Sequence, residues 1–254
     1  MMEESQELAL TQFRKSVEKL SSSTEGYEKP TLMRFLVARS MNPDKAAKMF
    51  VEWQKWRASM VPPSGFIPDS EVKVELESGK IFLHGPTKSG HPLLLIDGSK
   101  HFPSKDQLVF KKFVVHLLDK AIASGIKGKE VGDEKSVGLV DLQNVTLKNI
   151  DVRGMITAFQ FLQSYYPERL LKCYVLNMPP FFVTIWRFLC RFIDKATKDK
   201  IVIVTDGEER RIFEEEIGLD ALPEEYGGRA KLTALQDVFL PQTAPGMLAR
   251  NNDV

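Results

Sequence analysis

At 254 residues the chain can bury a substantial core, as one large domain or as one domain beside a smaller lobe. Hydrophobic residues make up 43% and charged residues 27%, an ordinary composition for a globular protein in water. The 35 basic residues are balanced by 34 acidic ones, which argues against nucleic-acid binding through bulk positive charge and leaves room only for a local basic patch.

Met2 to Leu20 has helical periodicity through Leu8, Leu10, Phe13 and Val17. Its scattered charges make it neither a signal peptide nor a membrane span, and no other apolar run is long enough to cross a bilayer. Ser21-Ser22-Ser23 breaks the helix, and Pro30 to Arg39 predicts a short second one. Asn42-Pro43 is a strong helix start, a capping side chain followed by proline at the first helical position. The stripe Ala46, Met49, Phe50, Trp53 and Trp56 follows, and Pro62-Pro63 closes a helical lobe over residues 1–63. Asp69 to Leu76 predicts one more short helix.

From there helices and strands alternate. Ile81 to His84 and Pro92 to Asp97 predict two strands joined by a Gly/Pro/Ser turn. Lys105 to Ser124, Val152 to Tyr166, Pro180 to Ile193 and Glu208 to Ile217 predict helices. Ser136 to Leu142, Leu171 to Asn177 and Ile201 to Val204 predict strands. This alternation defines an α/β domain over residues 64–229, with a mixed, mostly parallel sheet and flanking helices. Beyond Gly228 the chain reads as irregular, giving a tail over residues 230–254.

The usual enzyme signatures are missing. There is no G-x-S-x-G elbow, no G-x-G-x-x-G and no G-x-x-x-x-G-K-[ST]. Gly125 to Lys129 is glycine-rich with the wrong spacing and reads as a solvated loop. His84, His91, His101 and His116 have no metal-ligand spacing with one another or with the cysteines. Cys173 and Cys190 stand in apolar contexts and read as buried thiols of a reducing compartment. The sequon Asn144-Val145-Thr146 is taken as chance. The sequence therefore leans towards binding, with no catalytic residue, metal or redox cofactor expected.

Two stretches point to what is bound. Tyr165-Tyr166-Pro167-Glu168-Arg169 puts aromatics, an acid and a base where a helix gives way to the apolar run from Leu171 to Leu176, a junction suited to a ligand both greasy and polar. Pro180 to Ile193 is apolar over most of its circumference through Phe181, Phe182, Ile185, Trp186, Phe188, Leu189, Phe192 and Ile193. Its clearest polar side chains, Thr184, Arg187 and Arg191, fall on one narrow face. Such a helix is either a central core element or one with a face towards an internal cavity and another towards a membrane. Arg187 and Arg191 suit a membrane surface, where a basic side chain is attracted to anionic headgroups by about 1 kcal/mol.

Thr31 to Arg39 followed by the Trp53 and Trp56 helix resembles the helical lobe of the CRAL-TRIO family. Val140-Asp141-Leu142, Tyr165 to Arg169, Val175 to Pro179 and Leu222 to Gly228 resemble its lipid-binding domain, in the same order along the chain. The nearest branch resembles the yeast secretory phosphatidylinositol/phosphatidylcholine transfer proteins and their plant relatives. The resemblance implies helices enclosing a lipid cavity, closed by the Phe181–Ile193 helix as a mobile gate. It also implies a headgroup site at Arg39, Glu168, Thr197 and Lys200, where cations and a hydroxyl hold a phosphodiester and Glu168 accepts from inositol hydroxyls. Taken singly, each has a plainer reading: a surface ion pair for Arg39, a helix-end charge for Glu168, a solvated Lys200.

Departures from the family pattern are as informative. Ser40 replaces a lysine after the lobe arginine. At the choline-headgroup site Ser136 is kept as a candidate second-lipid residue, while Gly138 and Leu94 replace a threonine and a tyrosine. The expectation is a monomeric phosphatidylinositol-binding and transfer protein, cytoplasmic and transiently membrane-associated. It would carry a second hydrophobic lipid, whether another phospholipid, a sterol or another hydrophobe, and no nucleic acid. A lipid-sensing adaptor that presents phosphatidylinositol to a kinase or partner is the alternative, and a lipid hydrolase a third that the missing elbow disfavours.

Overall fold

The computed structural model describes residues 2–125, 129, 132–205 and 207–238. Most of the predicted loop at Gly125 to Lys129, and the tail beyond residue 238, lie outside the described residues.

Three helices, α1 (Met2–Lys19), α2 (Lys29–Val37) and α3 (Pro43–Met60), form the N-terminal lobe. Asn42 caps α3 by accepting from the Lys45 amide at 3.0 Å, with Pro43 in the first turn as the sequence predicts. Phe13, Leu32, Phe35, Leu36 and Phe50 fill the lobe's own core. Phe50 meets Phe13, Tyr27 and Phe35 edge-on, with ring centroids 5.1–5.6 Å apart. The apolar stripe of α3 divides: Ala46, Met49, Phe50 and Trp53 face this core, whereas Trp56 packs against the second layer.

That second part begins with a 3-10 turn at Asp69–Glu71 and α4 (Lys73–Glu77), the predicted single helix being broken at Val72 (φ −126°, ψ 15°). There follow β1 (Ile81–His84), β2 (Leu93–Asp97), α5 (Gln107–Gly125), β3 (Ser136–Asp141), α6 (Val152–Tyr165) and β4 (Leu170–Leu176). Then come α7 (Pro180–Leu189), α8 (Lys195–Lys198), β5 (Ile201–Ile203) and α9 (Gly207–Ile217). The strands form one five-stranded sheet in the order β1-β2-β3-β4-β5, with β1 antiparallel to β2 and every other pair parallel.

Strand register sorts the side chains into two faces. Leu93, Leu95, Leu139, Tyr174 and Leu176 lie on one face, sealed by Phe213 and Ile217 of α9. On the other lie Leu94, Gly138, Val140, Cys173, Val175, Ile201 and Ile203, under α5, α6 and α7. Central strands covered by helices ordinarily bury every residue. Here Gly138, Val140 and Cys173 stay only half-buried, as do Ile201 and Ile203 of the edge strand β5. The helices therefore stand off this face and leave an apolar wall accessible behind α7.

Two predicted boundaries change for physical reasons. The helix expected over Pro180 to Ile193 ends at Leu189. Arg191 and Phe192 continue as tight turns, their amides bonding Phe188 and Leu189 carbonyls at 3.2 and 2.9 Å. The chain must turn here because Asp194 caps α8, accepting from the Thr197 amide at 2.7 Å; that four-residue helix was not expected. Secondly, the irregular segment after Gly228 docks: Ala234 bridges Phe82, the Leu83 amide donates to the Thr233 carbonyl at 3.1 Å, and Leu235 is fully buried.

Asp141, at the carboxyl end of β3, is buried and accepts from Asn177 Nδ2 at 2.8 Å, the Tyr226 hydroxyl at 2.8 Å and the Gln143 amide at 2.9 Å. One carboxylate thus ties together three of the motifs on which the family resemblance rests. Burial, together with this bond to Asp141, drives the Tyr226 hydroxyl's pKa well above its ordinary value.

Candidate functional site

Arg39, Glu168, Thr197 and Lys200 lie far apart in sequence, yet all four line one cleft where α2 of the lobe approaches the amino ends of β4 and β5. Arg39 follows α2 and donates to the Ala38 carbonyl at 2.9 Å. Thr197 stands in α8, whose cap engages its backbone amide and leaves the hydroxyl without a protein partner among the described residues. Lys200 immediately precedes β5.

Glu168 turns the corner between α6 and β4 with φ at 56°, a left-handed conformation that L-residues adopt at a cost. The distortion is held by Tyr166 and Pro167, both buried. Strain at a glutamate in a cleft fits a functional constraint. Its carboxylate lies 3.7 Å from Lys200 and 3.4 Å from Lys135, so it sits between two ammonium groups. Lys135 was not expected at the site; its place just before Ser136 carries no motif.

Beneath the cleft is an ionic layer that sequence reasoning also missed. Arg57 of α3 pairs with Asp119 of α5 through two bonds of 2.7 and 2.9 Å, and the Tyr166 hydroxyl donates to the same carboxylate at 2.9 Å. Burial opposes the Arg57 charge, but Asp119 outweighs it and the guanidinium is held more firmly protonated than usual. Burial first, then Asp119, pushes the Tyr166 phenol well above its ordinary range. Nearby, Arg34 of α2 pairs with Glu134 at 3.0 Å, and Arg169 donates to the Glu134 carbonyl at 3.0 Å. Burial and the neighbouring Arg34 charge lower Arg169 to about 9, leaving it protonated at neutral pH. Tyr165, singled out in the sequence, stacks on Trp56 with ring centroids 3.9 Å apart and belongs to the lobe–domain contact.

Ser136 lies close by, but its hydroxyl donates to the Arg169 carbonyl at 3.1 Å. A Cβ at Gly138 would stand 3.2 Å from the Cys173 sulfur, and Leu94 is buried in the register position beside it. The wall at the Ser136 position is therefore apolar apart from a hydroxyl already engaged.

Over this wall lies α7. Phe182 and Leu189 are buried, and Ile185 and Trp186 half-buried against Val140, Val175 and Ile203. Phe181, Phe188 and Phe192 stay exposed at 38, 41 and 39%. Arg187 and Arg191 are exposed, Arg191 over the Phe188 ring at 5.9 Å. Gln163 of α6 fastens the far end, donating to the Phe192 carbonyl at 3.2 Å and accepting from the Asp194 amide at 2.6 Å.

A mixed sheet whose helices stand off one apolar face, with a charged cleft at the amino ends of β4 and β5, suits the binding of amphipathic molecules. The CRAL/TRIO domain family matches residues 76–228. The chain belongs to that family and is a binding protein rather than an enzyme. It is 27% identical to a CRAL-TRIO domain-containing protein of Saccharomyces cerevisiae, over 92% of this chain and 81% of that one. It is 25% identical to the SEC14 cytosolic factor of Candida glabrata, over 96% and 84% respectively. The phosphatidylinositol transfer protein CSR1 of Eremothecium gossypii is 25% identical over 80% of this chain, which spans only 48% of that relative. The crystal structure of Sfh5 superposes with a TM-score of 0.68 at 15% identity, covering 96% of this chain and 94% of that one, a likeness of fold. None of the described helices is long and apolar enough to cross a membrane.

Proposed function

We propose that this protein binds phosphatidylinositol and transfers it between membranes, working at cytoplasmic membrane surfaces. The observation that carries the reading is the convergence of Arg39, Glu168, Thr197 and Lys200 in one cleft at the amino ends of β4 and β5. Lys200 and Arg39 supply cations for the phosphodiester and Thr197 a hydroxyl donor, while Glu168 accepts from inositol hydroxyls. The acyl chains lie along Val140, Ile201 and Ile203 behind α7, which acts as the gate. Relatives named as a cytosolic factor and as a phosphatidylinositol transfer protein support the same lipid class and setting. The apolar surroundings of Ser136 disfavour a choline headgroup and suit a second lipid with a smaller polar part.

The test is a competitive vesicle-to-vesicle assay with phosphatidylinositol and phosphatidylcholine. Wild type is expected to move the inositol lipid well ahead of the choline lipid. Lys200→Ala and Glu168→Ala should each lower its transfer roughly tenfold to a hundredfold, the worth of a charge-assisted bond. Unchanged transfer by both variants would remove the site assignment. Tight binding without net transfer would instead favour a lipid-presenting adaptor.

A further inference from the structure

Exposed apolar side chains gather at a second place, separate from the cleft and beyond α7 itself. Phe102, Leu108 and Leu147 are exposed at 58, 55 and 75%. Phe102 lies in the loop after β2, Leu108 in the first turn of α5, and Leu147 in the loop after β3. These are the connections at the carboxyl end of the parallel strands, the end from which α7 also departs.

The loops are built rather than loose. Asn149 Nδ2 donates to the Ser99 carbonyl at 2.8 Å and the His101 carbonyl at 2.9 Å, clamping one loop to the other. Its own Oδ1 accepts from the Thr146 amide and hydroxyl, both at 2.8 Å, fixing the turn that carries Leu147. Asp106 holds the start of α5 by accepting from the Leu108 and Val109 amides at 2.8 and 3.1 Å. Behind Leu147, Leu142 and Val145 pack into one cluster with Phe182 and Met178, so these loops rest on the root of α7. Such ordering of outward-facing leucine and phenylalanine has no purpose in water, where exposed apolar area is unfavourable by about 25 cal/mol per Å².

The charge around them selects the partner. Lys105, Lys148 and Arg153 are exposed in the same segments, and none forms an ion pair among the described residues. Asp106 is the one exposed acid among these segments, its Oδ1 accepting both amides, against these three exposed bases; Asp151 is buried. With Arg187 and Arg191 of α7, basic side chains ring scattered large apolar ones. Single apolar tips within a basic field suit an anionic bilayer, where tips enter the acyl boundary and cations meet the headgroups. A protein partner would ask for a contiguous apolar patch with a pocket.

We infer that the β2–α5 and β3–α6 loops, through Phe102, Leu108 and Leu147 with Lys105, Lys148 and Arg153, form an anionic-membrane docking surface that anchors the protein while α7 opens. The inference rests on the transfer reading for its purpose, but its test does not. The experiment is co-sedimentation of the full chain with phosphatidylcholine vesicles containing graded phosphatidylserine, comparing wild type, Phe102→Ser/Leu147→Ser and Lys105→Glu/Lys148→Glu. The apolar double variant should bind vesicles roughly tenfold more weakly, with an unchanged melting temperature. The charge-reversed variant should lose most of the dependence on phosphatidylserine content and on salt. Native mass spectrometry of each variant reports retained lipid: a wild type that binds vesicles but carries no lipid would sink the transfer reading and leave this surface standing. Partition equal to wild type in both variants overturns the surface, as does a wild type that ignores phosphatidylserine. A protein partner lost by the variants while vesicle binding is kept also overturns it.

Discussion

At Glu168 a backbone held at φ 56° and a carboxylate set between Lys135 and Lys200 coincide in one residue. The left-handed region costs an L-residue about 1–2 kcal/mol, and glycine adopts it freely. Glu168→Ala and Glu168→Gly both remove the carboxylate; glycine also escapes the strain, less about 0.4–1 kcal/mol for the greater freedom of its unfolded chain. Glu168→Gly should therefore melt about 2–4 °C above Glu168→Ala for each kcal/mol recovered, while both transfer phosphatidylinositol equally poorly. A glycine variant that melts below the alanine variant would show that the corner is unstrained. A glycine more stable than alanine, with function lost in both, would mark Glu168 as a residue kept for binding against stability.

The element proposed as the gate is α7, and its fastenings are visible. Its inward side holds the apolar wall through Phe182, Ile185, Trp186 and Leu189, while Gln163 pins the turn after it with two hydrogen bonds. In water the closed state hides the wall. If α7 is the gate, the exposed Phe181, Phe188 and Phe192 would gain an apolar partner at a bilayer, and that gain would favour opening. Hydrogen exchange with and without anionic vesicles should show changed protection in α7 or at its flanks near Met178-Pro179 and Asp194-Lys195, exceeding any change in β4. Vesicle binding with no change there would make α7 an ordinary core helix. How far such elements could be read from sequence follows their physics. The strands showed as apolar runs and α3 as Asn42-Pro43, because local signals set them. The end of α7 is hidden in the sequence because Leu189 and Ile193 keep the helical period past the turn that Asp194 imposes by capping α8. Among site residues, Arg39, Glu168, Thr197 and Lys200 were named through the family resemblance, since no spacing joins residues so distant in the chain. Lys135, the buried Asp119 and the half-buried Glu134 carry no sequence signal, because each acquires its role only when the lobe meets the sheet.

Across the whole molecule, the lobe and the α/β layer are joined by charge as well as by the Trp56–Tyr165 stack. Asp119 is buried and receives Arg57 twice and Tyr166 once. Removing it strands a guanidinium in the interior, which typically costs about 3–5 kcal/mol. Asp119→Ala should lower the melting temperature by roughly 10 °C or more, whereas Asp199→Ala, in an exposed pair with Lys195, should change it little. A small effect at Asp119 would mean that the lobe can part from the sheet without loss. Since Tyr166 in this network adjoins Pro167 and Glu168, a loosened junction would also blunt the cleft.

The segment that crosses β1 gives the sheet two unlike borders. One margin is shielded by Thr233 and Ala234, with Leu235 plugged beneath, while the other is the three-residue β5. An open strand recruits strands from other copies, and covering it is a protein's protection against fibrous growth. A chain stopped after Arg229 would bare the amide of Leu83 along a row of Ile81, Phe82 and Leu83. Such a shortened form should assemble with increasing concentration in light scattering where the full chain stays dispersed, and a dispersed shortened form would show the border to be harmless. These few residues past α9 would then serve as solubility insurance for the whole sheet.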